Sequence, residues 1–180
     1  AYLYRFVDSE YLLVVNAGNR EKDWAHLEQV RQRFPRTEMV DHTHEIAMLS
    51  LQGPMAKDAL APLIEGELPE PMRNELSVVT IGGEEVWIAR TGYTGEPICF
   101  ELFMRNHHAM DVWDRLVENG ATPVGLGARD SLRREAGLPL YGHELGLDPE
   151  GHEIPAFATS LTRFPVSYSP LKGKFIGRKP

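Results

Sequence analysis

Four short stretches of this sequence have compositions specific enough to suggest chemistry rather than scaffold alone. Asn16 follows an apolar run, and a carboxamide held at the end of a strand suits a flat heteroaromatic ligand. In the segment RTGYTGE, two glycines bracket Tyr93 and would present its ring as a stacking surface on a tight loop. Glu101 is a carboxylate among bulky apolar residues, and Arg129 lies in the first turn of a predicted helix.

Each of these residues also has a purely structural interpretation. Asn16 could cap a turn, and Tyr93 could be an exposed aromatic residue on a well-made turn. Strand alternation places Glu101 opposite Phe100, so the pattern alone favours a carboxylate that faces solvent. The helix dipole disfavours a cation at Arg129, which indicates a functional role or a buried acid that offsets it. Further along this helix, three charged residues are most simply a solvated face: Arg133, Arg134 and Glu135.

The histidines and the cysteine do not form a recognisable metal or nucleophile pattern. The seven histidines are scattered, and His42 and His44 come nearest to a metal-ligand spacing. One cysteine, Cys99, excludes an intrachain disulfide and a thiolate cluster. No Ser/His/Asp elbow and no phosphate-binding glycine loop is present. We therefore predict no metal.

Composition narrows the class of protein. The 180 residues include 19 Lys and Arg against 26 Asp and Glu, a formal net charge of −7, which argues against a broad nucleic-acid surface. No apolar run approaches the ~18–20 residues of a membrane span. We expect a soluble protein of the cytoplasm, or of the mitochondrial matrix if the source is eukaryotic, with neither nucleic acid nor membrane as a partner.

The elements that must position these residues mix strands and helices without a regular βαβ order, which predicts an α+β fold with mixed sheets and packed helices. Alternating apolar residues predict a strand at 2–6, and residues 39–42 are a short strand candidate. Gly82 and Gly83 predict a two-residue hairpin turn.

Helices are predicted where apolar residues recur every three or four positions. Met110, Trp113 and Leu116 predict a helix over 109–117. Another is predicted over 126–136 and ends at Gly137, a residue typical of helix C-termini.

Four stretches resemble the family of the glycine cleavage system T-protein (aminomethyltransferase) and its folate-dependent relatives, in matching order and spacing. The resemblance covers about residues 1–178 and is carried by YLLVVNAGNREKD (11–23), LQGP (51–54), RTGYTGE (90–96) and GLGARDSLRREAGLPLYGHEL (125–145). It implies a cloverleaf of three domains around a tetrahydrofolate site. Here the segment before Glu101 is one residue longer than the family pattern, and Glu101 is the best match to the family's second acid.

The resemblance also implies roles for individual residues. Asn16 matches a folate-contacting asparagine, Glu101 the acid that holds the pterin ring, and Arg129 a ligand-contacting arginine. Tyr141 matches a tyrosine that lines the same site, and Tyr93 belongs to the RTGYTGE signature. The family's catalytic aspartate would lie upstream of residue 1, so the catalytic residue is not assigned.

The activity implied is transfer of an aminomethyl group from a lipoylated, H-protein-like carrier to tetrahydrofolate, with release of ammonia. One alternative is a folate-dependent demethylase module of the sarcosine or dimethylglycine type. Another is a non-catalytic folate-binding module, although such relatives carry a cysteine motif where this chain has LPLYGHEL (138–145).

The resemblance predicts two regions. Residues 1–145 would form the folate-binding core, from parts of the first two T-protein-like domains. Residues 146–180 would form an irregular segment leading toward an absent C-terminal barrel, with GKFIGR (173–178) resembling the junction. We therefore expect the chain to be an excised piece of a longer protein, truncated at both ends and inactive in transfer by itself.

Overall fold

The structure, a computed structural model, describes residues 1–70, 72–158 and 169–173, and divides into two compact units, Ala1–Ala136 and Gly137–Pro180. The strands of the first unit are β1 (Tyr2–Val7), β2 (Glu10–Val14), β3 (Ile46–Gln52), β4 (Leu76–Ile81), β5 (Glu84–Ala89) and β6 (Cys99–Arg105). Its α-helices are α1 (Arg20–Arg31), α2 (Ala56–Leu60), α3 (Ala109–Glu118) and α4 (Leu126–Glu135). The predicted α+β class is confirmed.

The first unit is built on a four-stranded antiparallel sheet in the order β3-β6-β5-β4. β6 therefore lies between β3 and β5. Residues directly opposite one another in neighbouring strands share a face of the sheet. Glu101 on β6 is opposite Ser50 of β3 and Ala89 of β5, so these three residues lie on one face.

The opposite face of the sheet carries the larger part of the core. Phe100, Leu102 and Ile88 are buried there against α2 and α3. Each large apolar side chain buried in this way stabilises the fold by about 1.5–3 kcal/mol. From α3 it is Val112 and Leu116, four residues apart, that point into this core.

The face that holds Glu101 is covered only in part, by the antiparallel hairpin of β1 and β2. Tyr4 of β1 is buried in a cluster with Ala89 and Phe103. Further along, the rings of Phe6 and Trp87 meet edge to face with centroids 5.0 Å apart. The β3 side of this face is more open, because Ser50 is exposed.

Several predictions from the sequence are confirmed. Residues 2–6 lie in β1, and Gly82 and Gly83, with φ of 58° and 79°, form the turn between β4 and β5. The helices predicted over 109–117 and 126–136 are α3 and α4.

Two predictions are wrong in detail. Residues 39–42 form no strand, because Asp41 accepts hydrogen bonds from Arg20 and from the backbone N–H of Thr43, and the chain then turns. Met110 of α3 is exposed rather than packed, because Val112 and Leu116 occupy the face toward the sheet.

The second unit is irregular over most of its described residues. It contains a short antiparallel pair, β7 (Gly146–Leu147) with β8 (Glu153–Ile154). The predicted boundary after residue 145 stays a prediction. Residues 174–178 of the GKFIGR segment lie outside the described residues.

Candidate functional site

Glu101 is a buried carboxylate in the centre of the sheet. Only 8 % of its surface is exposed, so the solvent-facing alternative is wrong. Alternation correctly separates Glu101 from Phe100, but both faces of β6 are covered, one by helices and the other by the β1–β2 hairpin. A carboxylate in such a place must be hydrogen-bonded to be tolerated.

The hydrogen-bond partner of Glu101 is Thr91, the second residue of RTGYTGE. Thr91 Oγ1 donates to Glu101 Oε2 at 2.5 Å, and Tyr4 Oη lies 3.2 Å from the same Thr91 oxygen. A hydroxyl has one proton. Since Thr91 gives its proton to the carboxylate, Tyr4 must be the donor to Thr91. The three side chains form a directed chain, Tyr4 to Thr91 to Glu101, which we call the Glu101 relay.

The loop that carries Tyr93 is tied to the end of β3. Thr94 Oγ1 donates to Gln52 Oε1, and Gln52 Nε2 donates to Ser50 Oγ at 2.6 Å. Gly92 lies so close to β6 that an added Cβ would be 2.7 Å from Cys99 Sγ. The loop is therefore held against the end of β3 and the start of β6. Tyr93 is half-buried within this loop.

The same loop contacts the C-terminal end of α4. A Cβ built on Gly95, which has a φ of +84°, would lie 2.6 Å from the Cβ of Ala136. Residues seven apart occupy the same helix face, two turns and about 10 Å apart. Arg129 is seven residues before Ala136, so it lies on the α4 face that meets the loop. This loop is thus a structural link between Glu101 and the helix of Arg129.

Arg133 contradicts the prediction of a solvated face at this part of α4. It is 1 % exposed, and its Nε donates to Asp130 Oδ1 at 2.8 Å. Asp130 also pairs with Arg134, which is exposed as predicted. A run of charged residues predicts exposure to solvent. The aliphatic part of an arginine side chain can nevertheless be buried when an acidic residue three positions away hydrogen-bonds its guanidinium group. Arg129 is half-buried and forms no ion pair with the described residues.

Burial and charge around Glu101 change the acidity of its neighbours. The pKa of Tyr4 is raised to about 12, mainly because the side chain is buried. The hydrogen bond with Thr91 lowers this pKa, and the negative charge of Glu101 raises it further. Burial and then Glu101 also raise the pKa of Tyr2, which the cationic Arg73 opposes. The electrostatic influence of Glu101 therefore extends to both tyrosines of β1.

The remaining predicted residues lie outside the Glu101 relay. Asn16 is exposed just after β2, and its side chain makes no capping hydrogen bond, although its carbonyl accepts from the backbone N–H of Asn19 at 2.9 Å. Tyr141 belongs to the second unit, where it forms a bridge with Leu145. The structure therefore brings Glu101 together with the Tyr93 loop, and that loop together with the helix of Arg129.

Sequence reasoning missed the residues that hold Glu101 in place. Tyr4 was visible only as part of a strand pattern, and its partner Thr91 lies 87 residues away in the chain. Gln52 falls in the LQGP stretch that carries the family resemblance, and this was the one available signal for it.

Within residues 1–70, 72–158 and 169–173, no three His, Cys, Asp or Glu side chains come together as a candidate metal site. In that part of the chain no helix has both the length and the apolar character needed to cross a bilayer.

Comparison with known proteins gives a consistent result. The family model of the GCVT N-terminal domain matches residues 1–155. A protein of Herpetosiphon aurantiacus named aminomethyltransferase is 45 % identical over 84 % of this chain and 42 % of its own length. One of Thermus thermophilus with the same name is 50 % identical over 80 % of this chain and 41 % of its own length.

A third aminomethyltransferase, from Caldanaerobacter subterraneus subsp. tengcongensis, is 40 % identical over 98 % of this chain and 46 % of its own length. This chain thus spans less than half the length of the curated relatives that it matches. The family model covers most of the chain, the observed fold is the predicted α+β class, and the chain belongs to the GCVT N-terminal domain family.

Proposed function

We propose that this chain is the folate-binding core of a tetrahydrofolate-dependent aminomethyltransferase of the glycine cleavage system. The observation that carries the proposal is Glu101, a buried and hydrogen-bonded carboxylate on the partly covered face of the sheet. Membership of the GCVT family and the name shared by the relatives support it.

Glu101 has the right chemistry for the pterin ring of a folate. The amidine-like edge of a pterin presents N–H groups that a carboxylate can accept through charge-assisted hydrogen bonds. Thr91 occupies Oε2, and among the described residues Oε1 has no hydrogen-bond donor, which leaves it for a ligand. The residues present therefore fit the group that the family implies.

The other candidate residues supply complementary contacts. Tyr93 would offer a stacking surface, and the Asn16 amide both donors and an acceptor. Arg129 would meet a carboxylate or a polar ring edge through its guanidinium fork. A folate contact by Tyr141 stays a prediction that rests on the family resemblance alone.

Tetrahydrofolate would serve as the acceptor of the one-carbon unit. The part of this chain is to bind the pterin, fix its orientation and exclude water from the edge that Glu101 holds. Orientation of a reactant can by itself lower a barrier substantially, because translational and rotational freedom is lost on binding rather than during the reaction. The proposal assigns these residues binding roles, and no catalytic acid or base.

The proposed donor is an aminomethyl group on the lipoyl arm of an H-protein-like carrier. This partner, and a cytoplasmic location, belong to the proposal and follow from the family rather than from any surface of the chain.

The test of the proposed reaction is a product assay on the whole protein. With a lipoylated carrier loaded with the aminomethyl group, we expect methylene-tetrahydrofolate and ammonia in equal amounts. Sarcosine or dimethylglycine in place of the carrier is expected to give no product. One-carbon transfer from sarcosine without the carrier would contradict the proposal and favour a demethylase.

A further inference from the structure

We infer that Thr91 and Tyr4 are positioning residues that set the Glu101 carboxylate for the ligand, an inference that rests on the proposed folate binding. Neither residue would touch the pterin. They would act through Glu101, by fixing which way its two oxygens point.

Burial gives the relay a single arrangement. Tyr4, Thr91 and Glu101 are each at most 8 % exposed, so water does not compete freely for their hydrogen bonds. Thr91 is β-branched, and its side chain has few rotamers. With Tyr4 Oη donating at 3.2 Å, the Thr91 proton is directed to Glu101 Oε2.

The three residues come from separate parts of the chain that the sheet brings together. Tyr4 is on β1, Thr91 follows β5, and Glu101 is on β6, beside β5. The relay therefore crosses from the covering hairpin to the central strand. It ties the orientation of the carboxylate to the packing of the hairpin, and not to the local conformation of β6 alone.

A fixed carboxylate would bind a two-donor ligand edge better than a mobile one. Two parallel N–H groups need both carboxylate oxygens in one plane, and Oε2 can accept one of them beside the Thr91 hydroxyl because a carboxylate oxygen has two lone pairs. A free glutamate side chain loses rotamer freedom on binding, and a preorganised one has already lost it during folding.

The experiment is a calorimetric titration of the chain with 5-formyltetrahydrofolate. Thr91→Val keeps the shape of the side chain but removes the hydroxyl, and we expect about tenfold weaker binding. Thr91→Ser keeps the hydroxyl and is the matched control, expected within about twofold of the unmodified chain. Tyr4→Phe removes the far end of the relay and should weaken binding about threefold.

A double-mutant cycle separates positioning from general loss of structure. If Thr91 acts through Glu101, then Thr91→Val should change affinity less than about twofold in a chain that already carries Glu101→Gln. Tyr4→Phe leaves the loop intact, so it tests the inference even where Thr91→Val does not fold.

The possible outcomes distinguish the inferred positioning roles of Thr91 and Tyr4 from the proposed folate binding on which they rest. Binding that falls in Glu101→Gln but is unchanged in both Thr91→Val and Tyr4→Phe overturns the inference alone. Equal losses for Thr91→Val with and without Glu101→Gln also overturn it. No binding of the folate by the unmodified chain overturns the proposed function, and the inference with it.

Discussion

At the scale of single residues, the molecule buries a charged side chain both in the sheet and on helix α4, where apolar side chains are usual. Glu101 is tolerated because Thr91 hydrogen-bonds it, and Arg133 because Asp130 does. The two cases differ in what remains for a ligand. Both Asp130 oxygens are engaged by arginines of the same helix, whereas Glu101 keeps one oxygen for a ligand among the described residues.

Arg129 should contribute to folate binding, because it lies on the α4 face that meets the Tyr93 loop. Arg129→Ala is expected to weaken binding of 5-formyltetrahydrofolate by about 1–3 kcal/mol, the usual loss for a charge-assisted hydrogen bond. The control is Arg115→Ala on α3, which covers the opposite face of the sheet. Equal affinities for the two variants in a calorimetric titration would show that Arg129 is not a ligand contact.

The raised pKa of Tyr4 predicts a pH dependence of stability. Its folded pKa of about 12 is above the ordinary value of 10. The stabilising contribution is therefore complete below pH 10 and is lost as pH rises from 10 toward 12. Tyr4→Phe cannot ionise, so its free energy of unfolding should fall less steeply over this interval.

Urea unfolding at several pH values measures this slope. Tyr11→Phe is the control, because Tyr11 is an exposed tyrosine of the same hairpin. The loss of the hydrogen bond to Thr91 in Tyr4→Phe shifts stability at every pH and does not change the slope. Parallel curves for Tyr4→Phe and the unmodified chain would refute the prediction.

At the scale of elements, the segment RTGYTGE connects β6, the end of β3 and the C-terminal end of α4. Thr91 contacts β6, Thr94 contacts β3 through Gln52, and Gly95 contacts Ala136 beyond α4. A loop with two glycines suggests a turn, but the structural role of this one is to join three elements around one carboxylate.

Gly95→Ala should loosen this junction. The new Cβ would be 2.6 Å from Ala136, at a φ of +84° that alanine rarely adopts. We expect a loss of roughly 2–3 kcal/mol in the free energy of unfolding, from strain and overpacking together.

The matched control is Gly83→Ala, at a φ of +79° with nothing within 4 Å of the added Cβ. It carries the strain without the clash and should lose only about 1–2 kcal/mol. Similar denaturant midpoints for the two variants would mean that the loop and α4 are not packed as described.

The sequence predicts individual strands, turns and helices better than it predicts which of them pack together in the fold. Alternation and glycine spacing correctly indicate β1 and the turn at Gly82 and Gly83, because both depend on local geometry. The burial of Glu101 depends on a hairpin that covers its face from another part of the chain. No local pattern encodes this, and the same holds for the partnership of Tyr4 and Thr91.

At the scale of the whole molecule, the chain spans 42 % of the length of the Herpetosiphon relative. The relatives that carry the name aminomethyltransferase are therefore more than twice as long as the matched part of this chain. Folate binding by this chain and aminomethyl transfer by the whole protein are therefore two separate predictions. The Glu101 relay and the Tyr93 loop both belong to the first unit, and we expect the isolated chain to bind a folate there.

We expect this chain alone to give no aminomethyl transfer. The residues that we assign have binding roles only, and the chain spans less than half the length of the relatives named aminomethyltransferase. The measurement is methylene-tetrahydrofolate formation with a loaded lipoylated carrier, with a full-length relative as the positive control. Turnover by the isolated chain at the rate of that relative would contradict this expectation.

The most direct test of the central claim, that Glu101 is the core of a folate site, is one pair of titrations. Calorimetry compares 5-formyltetrahydrofolate binding to the unmodified chain and to Glu101→Gln, with the exposed Glu118→Gln of α3 as a control. We predict binding that is weakened by about 1–3 kcal/mol in Glu101→Gln and unchanged in Glu118→Gln. Equal affinity in all three folded chains would contradict the account.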